Sequence, residues 1–454
     1  MCKMNLPSDY IDELKTIFES DSDYQNYLRA METSPVKGLR VNPILCDEER
    51  EAKIVDLFSL TKTSWEPHGY YQNREAAPAP GRHPLHEAGA YYIQEPSAMI
   101  PVTQLDIHEN MCVLDLCAAP GGKTTQIASY MKNTGILITN EPVPKRAKIL
   151  AENVERMGIR NAIVTCEKPE KLSARFPEYF DRILCDAPCS GEGMFRKDPD
   201  AINEWSKENV LMCAERQRDI LRETVKMLAP GGRLVYSTCT FSKEEDEENV
   251  EFVLKEFPEL KLISQEKYFP HKIEGEGHFA AVFERSGDHG NHGDGSCDTA
   301  TGISIKTNSV SQEPSPQLSA FIKDFFANES LPIERVIIRN SRAYLLPPSC
   351  PGLSGLATYR TGLHLGEIKK DRFEPDHALA KALLPKDVKR SAELPSDSPE
   401  VRAYLRGEVI RTDKIDIPSD GWTLVTTDGV PLGLAKAVKG TLKNHYPKGL
   451  RKNL

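Results

Sequence analysis

Two cysteines stand out for the chemistry they could perform. Cys189 lies in Asp186-Ala187-Pro188-Cys189-Ser190-Gly191, and Cys239 in Tyr236-Ser237-Thr238-Cys239-Thr240. Each falls at the carboxyl end of a predicted strand, where open α/β sheets bind their ligands. A thiolate is well suited to add covalently to an electron-poor ring carbon, which splits one hard step into two easier ones. Carbon 5 of cytosine is too poor a nucleophile to take a methyl group unaided. A thiolate added at carbon 6 makes it enamine-like, and Cys239 is read in that role. A proton must then leave carbon 5 and the thioether must break, and Cys189 is the second thiol available to help. The competing reading of each thiol is a small buried hydrophobe. A free thiol has a pKa of about 8.5, so the site has to favour the thiolate.

Upstream runs Asp115-Leu116-Cys117-Ala118-Ala119-Pro120-Gly121-Gly122-Lys123-Thr124. Gly122-Lys123-Thr124 is half of a phosphate-binding loop. The full pattern needs glycine where Cys117 stands, so an NTPase is not indicated. There is no G-x-G-x-x-G fingerprint either. A strand ending in Asp115, a small-residue loop and a helix N-terminus suit a nucleoside that carries a carboxylate. Glu141, one strand later, is placed to accept two ribose hydroxyls. Asp115 with Glu141 therefore points to S-adenosyl-methionine, against the plainer reading of a structural turn beside a surface acid. Asp186 could touch that cofactor or a target base.

These residues need a frame. Val113–Leu116, Ile136–Thr139, Ile163–Thr165, Arg182–Asp186 and Arg233–Ser237 read as strands. Helices are expected over Thr124–Met131, Pro144–Met157 and Asn209–Leu228, the last closed by Pro230-Gly231-Gly232. Ser242 and Glu245 form a capping-box pattern for an acidic helix running to Phe257. Alternation of this kind implies a mostly parallel sheet with helices on both faces. Residues 1–60 mix amphipathic helical patterns with Gly38-Leu39-Arg40-Val41-Asn42-Pro43, a strand and turn. Residues 61–88 read as a connection. Asp428-Gly429 between short apolar runs is a hairpin signal. The expected organisation is an N-terminal element over 1–88, a core over 89–285, a linker over 286–316, an intermediate domain over 317–390 and a C-terminal domain over 391–454.

The chain has 454 residues, long enough for several domains. Its eleven scattered cysteines are an odd number and read as free thiols in a reducing compartment, so a cytoplasmic protein is expected. No apolar stretch approaches the ~20 residues of a membrane span. The start, Met1-Cys2-Lys3-Met4-Asn5-Leu6, lacks the apolar run of a secretory signal. A net charge of −9 argues against nucleic-acid binding overall. The stretch from Gly429 onward nevertheless holds Lys436, Lys439, Lys443, Lys448, Arg451 and Lys452 and no acid, a local footprint able to bind phosphate. Arg40 and Lys197 are further candidates for phosphate contact. In the linker, Asp288, His289, His292 and Asp294 sit among glycines that preorganise ligands poorly, so no metal is expected.

As a set, these motifs resemble the RNA 5-methylcytosine methyltransferases of the Sun/NSUN type, in particular the bacterial RsmF-like ribosomal RNA enzymes. The resemblance extends to Gly89-Ala90-Tyr91-Tyr92-Ile93-Gln94-Glu95-Pro96-Ser97, Gly275-Glu276-Gly277-His278-Phe279 and Lys443-Asn444-His445-Tyr446-Pro447-Lys448-Gly449-Leu450-Arg451. It implies a Rossmann-like class I methyltransferase core of seven strands, an N-terminal RNA-binding element and a C-terminal PUA-like α+β domain. It implies Cys239 as nucleophile and Cys189 as an aid to product release. It implies that Cys117, Ala118, Ala119, Pro120, Gly121, Gly122, Lys123, Glu141 and Asp186 contact S-adenosyl-methionine, with Asp186 also near the base. Relatives often carry Asn or Asp where this chain has Cys166-Glu167-Lys168, so the adenine contact stays open among these three. DNA cytosine enzymes attack with the Pro-Cys thiol and RNA enzymes with the Thr-Cys thiol. The presence of both favours RNA. The expected substrate is ribosomal RNA, free or in a subunit. Transfer RNA and a non-catalytic assembly factor are the alternatives. The oligomeric state is not legible.

Overall fold

The structure, a computed structural model, describes residues 6–18, 20–73, 78–287, 315–328, 331–411 and 414–452. The linker reading over 286–316 and the four residues weighed there as metal ligands fall almost wholly outside the described residues.

An N-terminal sheet comes first: β1 (Gly38–Val41), β2 (Leu60–Lys62), β3 (Gly69–Gln72) and β4 (Tyr91–Ile93), ordered β2-β3-β1-β4. The stretch 61–88, read as a connection, thus supplies strand residues and a short helix, Pro84–Ala88. Next come β5 (Cys112–Asp115), β6 (Ile136–Asn140), β7 (Ala162–Thr165), β8 (Phe180–Asp186), β9 (Leu228–Thr238), β10 (Leu260–Tyr268) and β11 (His278–Arg285). Strands β5 to β9 run parallel, while β11 opposes both of its neighbours, β9 and β10. The path goes outward from β5 through β6 to β7, returns to β8 on the other side, and continues through β9. This is the expected Rossmann-like class I arrangement, and its crevice lies between β5 and β8.

The period of two explains the two cores. Val113, Leu137, Leu184 and Val235 face one side, with Ile127, Leu150 and Val154 of the helices Gly122–Met131 and Pro144–Arg156. Leu114, Ile138, Ile183 and Leu234 face the other, with Leu221, Val225, Val250 and Val253. The long helix Lys207–Met227 buries Val210, Cys213, Ala214, Gln217, Leu221 and Val225, a single stripe at helical spacing, and Ser206 caps its start.

Two local expectations are corrected. The strand read from Arg233 begins at Leu228. Pro230-Gly231-Gly232 is a bulge in β9, with Gly231 at φ +72°, and the pairing with β8 shifts register there. The helix read from Ser242 begins at Glu247. The Ser242 Oγ does accept the Glu245 N–H at 3.3 Å, but the Glu245 side chain turns inward to other partners.

Beyond the core lie β12 (Val336–Arg339), β13 (Arg342–Leu345), β14 (Thr358–Thr361), β15 (Leu363–Ile368) and β16 (Phe373–Pro375). Four of these form their own sheet, ordered β12-β13-β15-β16, but β14 pairs antiparallel with β7 and becomes the eighth strand of the central sheet. The last sheet holds β17 (Ser391–Glu393), β18 (Gly421–Thr427), β19 (Val430–Val438) and β20 (Thr441–Asn444). Asp428-Gly429 closes the β18–β19 hairpin with both residues at positive φ, as its sequence signals. This sheet shares one apolar core with the N-terminal one: Leu39, Val41, Phe58 and Tyr91 pack in the cluster of Tyr404, Leu405 and Leu432.

Among the described residues no helix is long and apolar enough to cross a membrane.

Candidate active site

All the predicted site residues gather at the carboxyl ends of β6, β5, β8 and β9. Asp115 ends β5, Glu141 follows β6, and Asp186 ends β8. Asp186 pairs in register with Ser237 on β9, which brings the two cysteine loops together. The Cys189 and Cys239 Sγ atoms lie 3.1 Å apart, and the Cys239 N–H points to the Cys189 Sγ at 3.3 Å. Further ties lock the loops: Gly193 N–H donates to the Cys239 carbonyl at 2.8 Å, and the Ser190 and Thr240 hydroxyls pair at 2.8 Å. The Cys239 thiol beside it, together with burial, pushes the Cys189 thiol well up. While the Cys239 sulfur is free, Cys189 keeps its proton and can share it with that sulfur.

Asp186 is the electrostatic hub. Its Oδ2 accepts from Lys123 Nζ at 2.7 Å, and its Oδ1 accepts from Ser237 Oγ at 2.7 Å and meets His278 Nε2 at 3.3 Å. Burial alone would raise its carboxyl. The Lys123 ammonium and His278 outweigh that and hold it far below the usual carboxylate range. Lys123, expected among the cofactor contacts, thus turns its ammonium onto Asp186. Burial, reinforced by Lys123, lowers His278 below its ordinary value. His278 was not singled out in the sequence, although it sits in a recognised motif. Its position at the start of β11, beside the end of β9, comes from the antiparallel pairing.

The glycine loop after β5 has the groups that S-adenosyl-methionine would need. Asp115 is fully buried; Thr124 Oγ1 donates to its Oδ2 at 2.6 Å, while its Oδ1 has no partner among the described residues. Burial raises this carboxyl to about 7. Gly121 stands at φ +116°, where a Cβ would meet the Leu150 side chain at 3.1 Å, so the loop lies tight against the helix Pro144–Arg156. No side chain caps the helix that starts at Gly122, which leaves its first N–H groups for a carboxylate. Glu141 accepts from the Val143 N–H at 2.9 Å and faces Arg146 at 3.3 Å. These donors and acceptors match the carboxylate and ribose ends of the cofactor. Of the three positions left open, Glu167 binds Lys171 and the Ala357 N–H, and the Cys166 thiol points to the Pro142 carbonyl.

Arg40 is corrected. It is fully buried and cannot meet a phosphate. It donates to Gln94 Oε1 at 3.3 Å, to the Gly122 carbonyl at 3.3 Å and to Thr125 Oγ1 at 2.7 Å, bracing the cofactor loop from behind. Lys197, Lys436 and Lys443 are exposed, the last two paired across β19 and β20. Lys452 is tied to Glu87 at 2.6 Å.

Ribosomal RNA small subunit methyltransferase F of Cronobacter sakazakii is 32% identical over 98% of this chain and 96% of its own length. The chain belongs to the RsmB/F family of 16S rRNA methyltransferases. That family's model matches residues 102–284. The N-terminal domain of 16S rRNA methyltransferase RsmF matches 6–96, the RsmF first C-terminal domain 320–383, and the RsmF PUA domain 391–452. The same-named protein of Vibrio vulnificus is 31% identical over 98% of this chain and 97% of its own length. Among solved structures, a methyltransferase homologue from Pyrococcus horikoshii aligns at TM-score 0.52 and 26% identity, over 62% of this chain and all of that one. NSun6 from the same organism shares the fold at TM-score 0.56 and 21% identity, over 63% of this chain and all of that one. The methyl donor of the RsmB/F-family chain is S-adenosyl-methionine.

Proposed function

We propose that this RsmB/F-family chain methylates carbon 5 of cytosine in small-subunit ribosomal RNA through a covalent adduct on Cys239. The observation that carries the reading is the pair of thiols 3.1 Å apart beside the ionised Asp186. A second thiol in contact with the first gives the elimination half of the reaction a base of its own.

The target base leaves its stack and enters between the β8 and β9 loops, at a cost of a few kcal/mol. Asp186, ionised and fixed by Lys123 and Ser237, accepts from the exocyclic amine. The Cys239 thiolate bonds to carbon 6, and the displaced electrons make carbon 5 a nucleophile. Lys123 offsets the negative charge that builds on the ring. When bound, S-adenosyl-methionine supplies the electrophilic methyl that carbon 5 takes. Once the Cys239 sulfur is bonded to carbon it no longer raises its neighbour, so Cys189 loses its thiol proton to solvent and the thiolate removes the proton from carbon 5. The pair of electrons from that C–H bond restores the ring double bond and expels the Cys239 sulfur. Asp115, Glu141 and the helix N-terminus at Gly122 hold the donor, and Arg40 holds their loop.

The test is mass-spectrometric mapping of 5-methylcytosine after incubation of purified protein with 16S RNA, assembled small subunits and transfer RNA. New 5-methylcytosine confined to the ribosomal substrates supports the reading. Methylation of transfer RNA alone, or at another cytosine atom, overturns it.

A further inference from the structure

The proposed release step needs Cys189 held against Cys239, and the loop that carries Cys189 has no regular structure of its own to hold it there. The structure supplies the hold from two buried side chains on other elements. Gln217, on the helix Lys207–Met227, donates from Nε2 to the Pro188 carbonyl at 3.0 Å and to Glu245 Oε2 at 2.7 Å. Glu245 accepts the Ser190 N–H at 3.1 Å. The backbone on each side of Cys189 is therefore gripped by one of two side chains that also bond to each other. Both are completely buried.

The orientation of the amide is enforced. Gln217 Oε1 accepts from Asn249 Nδ2 at 2.9 Å, and Asn249 is itself oriented by Arg218 Nε, which donates to its Oδ1 at 2.8 Å. The single Tyr236 Oη proton goes to the Glu245 carbonyl at 2.6 Å, which Asn249 Nδ2 also reaches at 3.1 Å. Tyr236 and Asn249 are fully buried as well. With its oxygen engaged by Asn249, Gln217 turns its NH₂ to Pro188 and Glu245. Burial raises the Glu245 carboxyl, and its bonds to Ser190 and Gln217 oppose that rise. A buried polar network that is fully paired is rigid, and rigidity is what two sulfurs in contact require.

We propose that Glu245 and Gln217 are positioning residues for the second half of the reaction: they clamp the Cys189 loop so that its sulfur faces the Cys239 adduct. The proposal rests on Cys189 acting in release. It separates this pair from residues that merely stabilise the core, because loss of the clamp impairs elimination and leaves addition and methyl transfer largely intact.

The test compares Glu245→Gln and Gln217→Met with Cys189→Ala and with Val253→Ala, a core truncation on the neighbouring helix that leaves the Cys189 loop alone. Each folded variant is assayed for the methyl transferred in a single turnover, for steady-state turnover, and for covalent protein–RNA adduct on denaturing gels. Both clamp variants are expected to lose about tenfold in steady-state turnover, to keep single-turnover transfer within about threefold, and to accumulate adduct. Val253→Ala is expected to lose stability without adduct. Equal loss in both rate measurements with no adduct, while Cys189→Ala does accumulate it, overturns the clamp. If Cys189→Ala itself gives no adduct, the release role of Cys189 fails instead. The clamp is then judged on geometry alone, by the rate at which diamide, a thiol oxidant, joins Cys189 to Cys239 in the protein without RNA. A slower rate in the clamp variants than in Val253→Ala upholds the hold on the loop, and an unchanged rate refutes it.

Discussion

The Lys123 ammonium and the Asp186 carboxylate meet at 2.7 Å across the crevice where the chain path through the sheet reverses. One follows β5 and the other ends β8, strands that neighbour each other only in the folded sheet. Asp186→Asn removes the charge while keeping the shape, and leaves Lys123 without its partner. Turnover on RNA is expected to fall by about a hundredfold with little change in thermal stability. Single-turnover methyl transfer at saturating cofactor checks this. A loss confined to cofactor affinity would move Asp186 from the base to the donor.

Cys239→Ala is expected to abolish methyl transfer and leave no covalent adduct. Cys189→Ala is expected to allow attack and trap a denaturation-resistant protein–RNA complex. Gel analysis with radiolabelled RNA reads both. Near-normal methylation by Cys239→Ala would refute the assignment of the nucleophile.

Glu192 gives stability a pH dependence. Its carboxyl is fully buried, accepts from Trp205 Nε1 at 3.0 Å and from the Phe241 N–H at 2.9 Å, and is raised by burial from 4.5 to about 7. Between these values the folded chain binds more protons than the unfolded one, so this group's contribution falls as pH rises from 4.5 to about 7 and stays flat above. Glu192→Gln removes that decline. In denaturant titrations, the stability of the variant relative to the parent should rise across this window. A constant difference from pH 5 to pH 8 would show that Glu192 does not titrate there.

Arg40→Met removes the brace behind Gly122 and Thr125. Isothermal titration should show S-adenosyl-methionine binding weakened by about tenfold, with an unchanged salt dependence of RNA binding. A flatter salt dependence would return Arg40 to the phosphate contacts.

Lys436 and Lys443 face each other across β19 and β20 and are both exposed. Replacing both with Ser should weaken RNA binding at every sequence and reduce the slope of log affinity against log salt by about two. Unchanged affinity would place the RNA on another face.

The hairpin at Asp428-Gly429 and the alternating core were legible because each rests on local rules: turn residues with positive φ, and a period of two or of 3.6. The placement of the glycine loop and both thiols at strand ends was legible because short apolar runs ending in small residues mark such ends. The misreadings were tertiary in origin. Glu245 looked like half of a capping box three residues after Ser242, but a buried backbone N–H at Ser190 competes for the same carboxylate and wins. Pro230-Gly231-Gly232 looked like a helix stop and is a bulge, because pairing with β8 continues on both sides of it.

By itself, the sequence determined the alternating layers, the kind of cofactor loop and the two sulfurs available for covalent chemistry, since these depend on residue type and short spacing. Only the tertiary structure decided that Lys123 serves Asp186, that Arg40 is a buried brace, that His278 reaches the site and that β14 returns to edge the central sheet. Such contacts join residues far apart in the chain. Strand order and burial decide which of several possible partners a charged side chain meets, and a linear pattern contains neither.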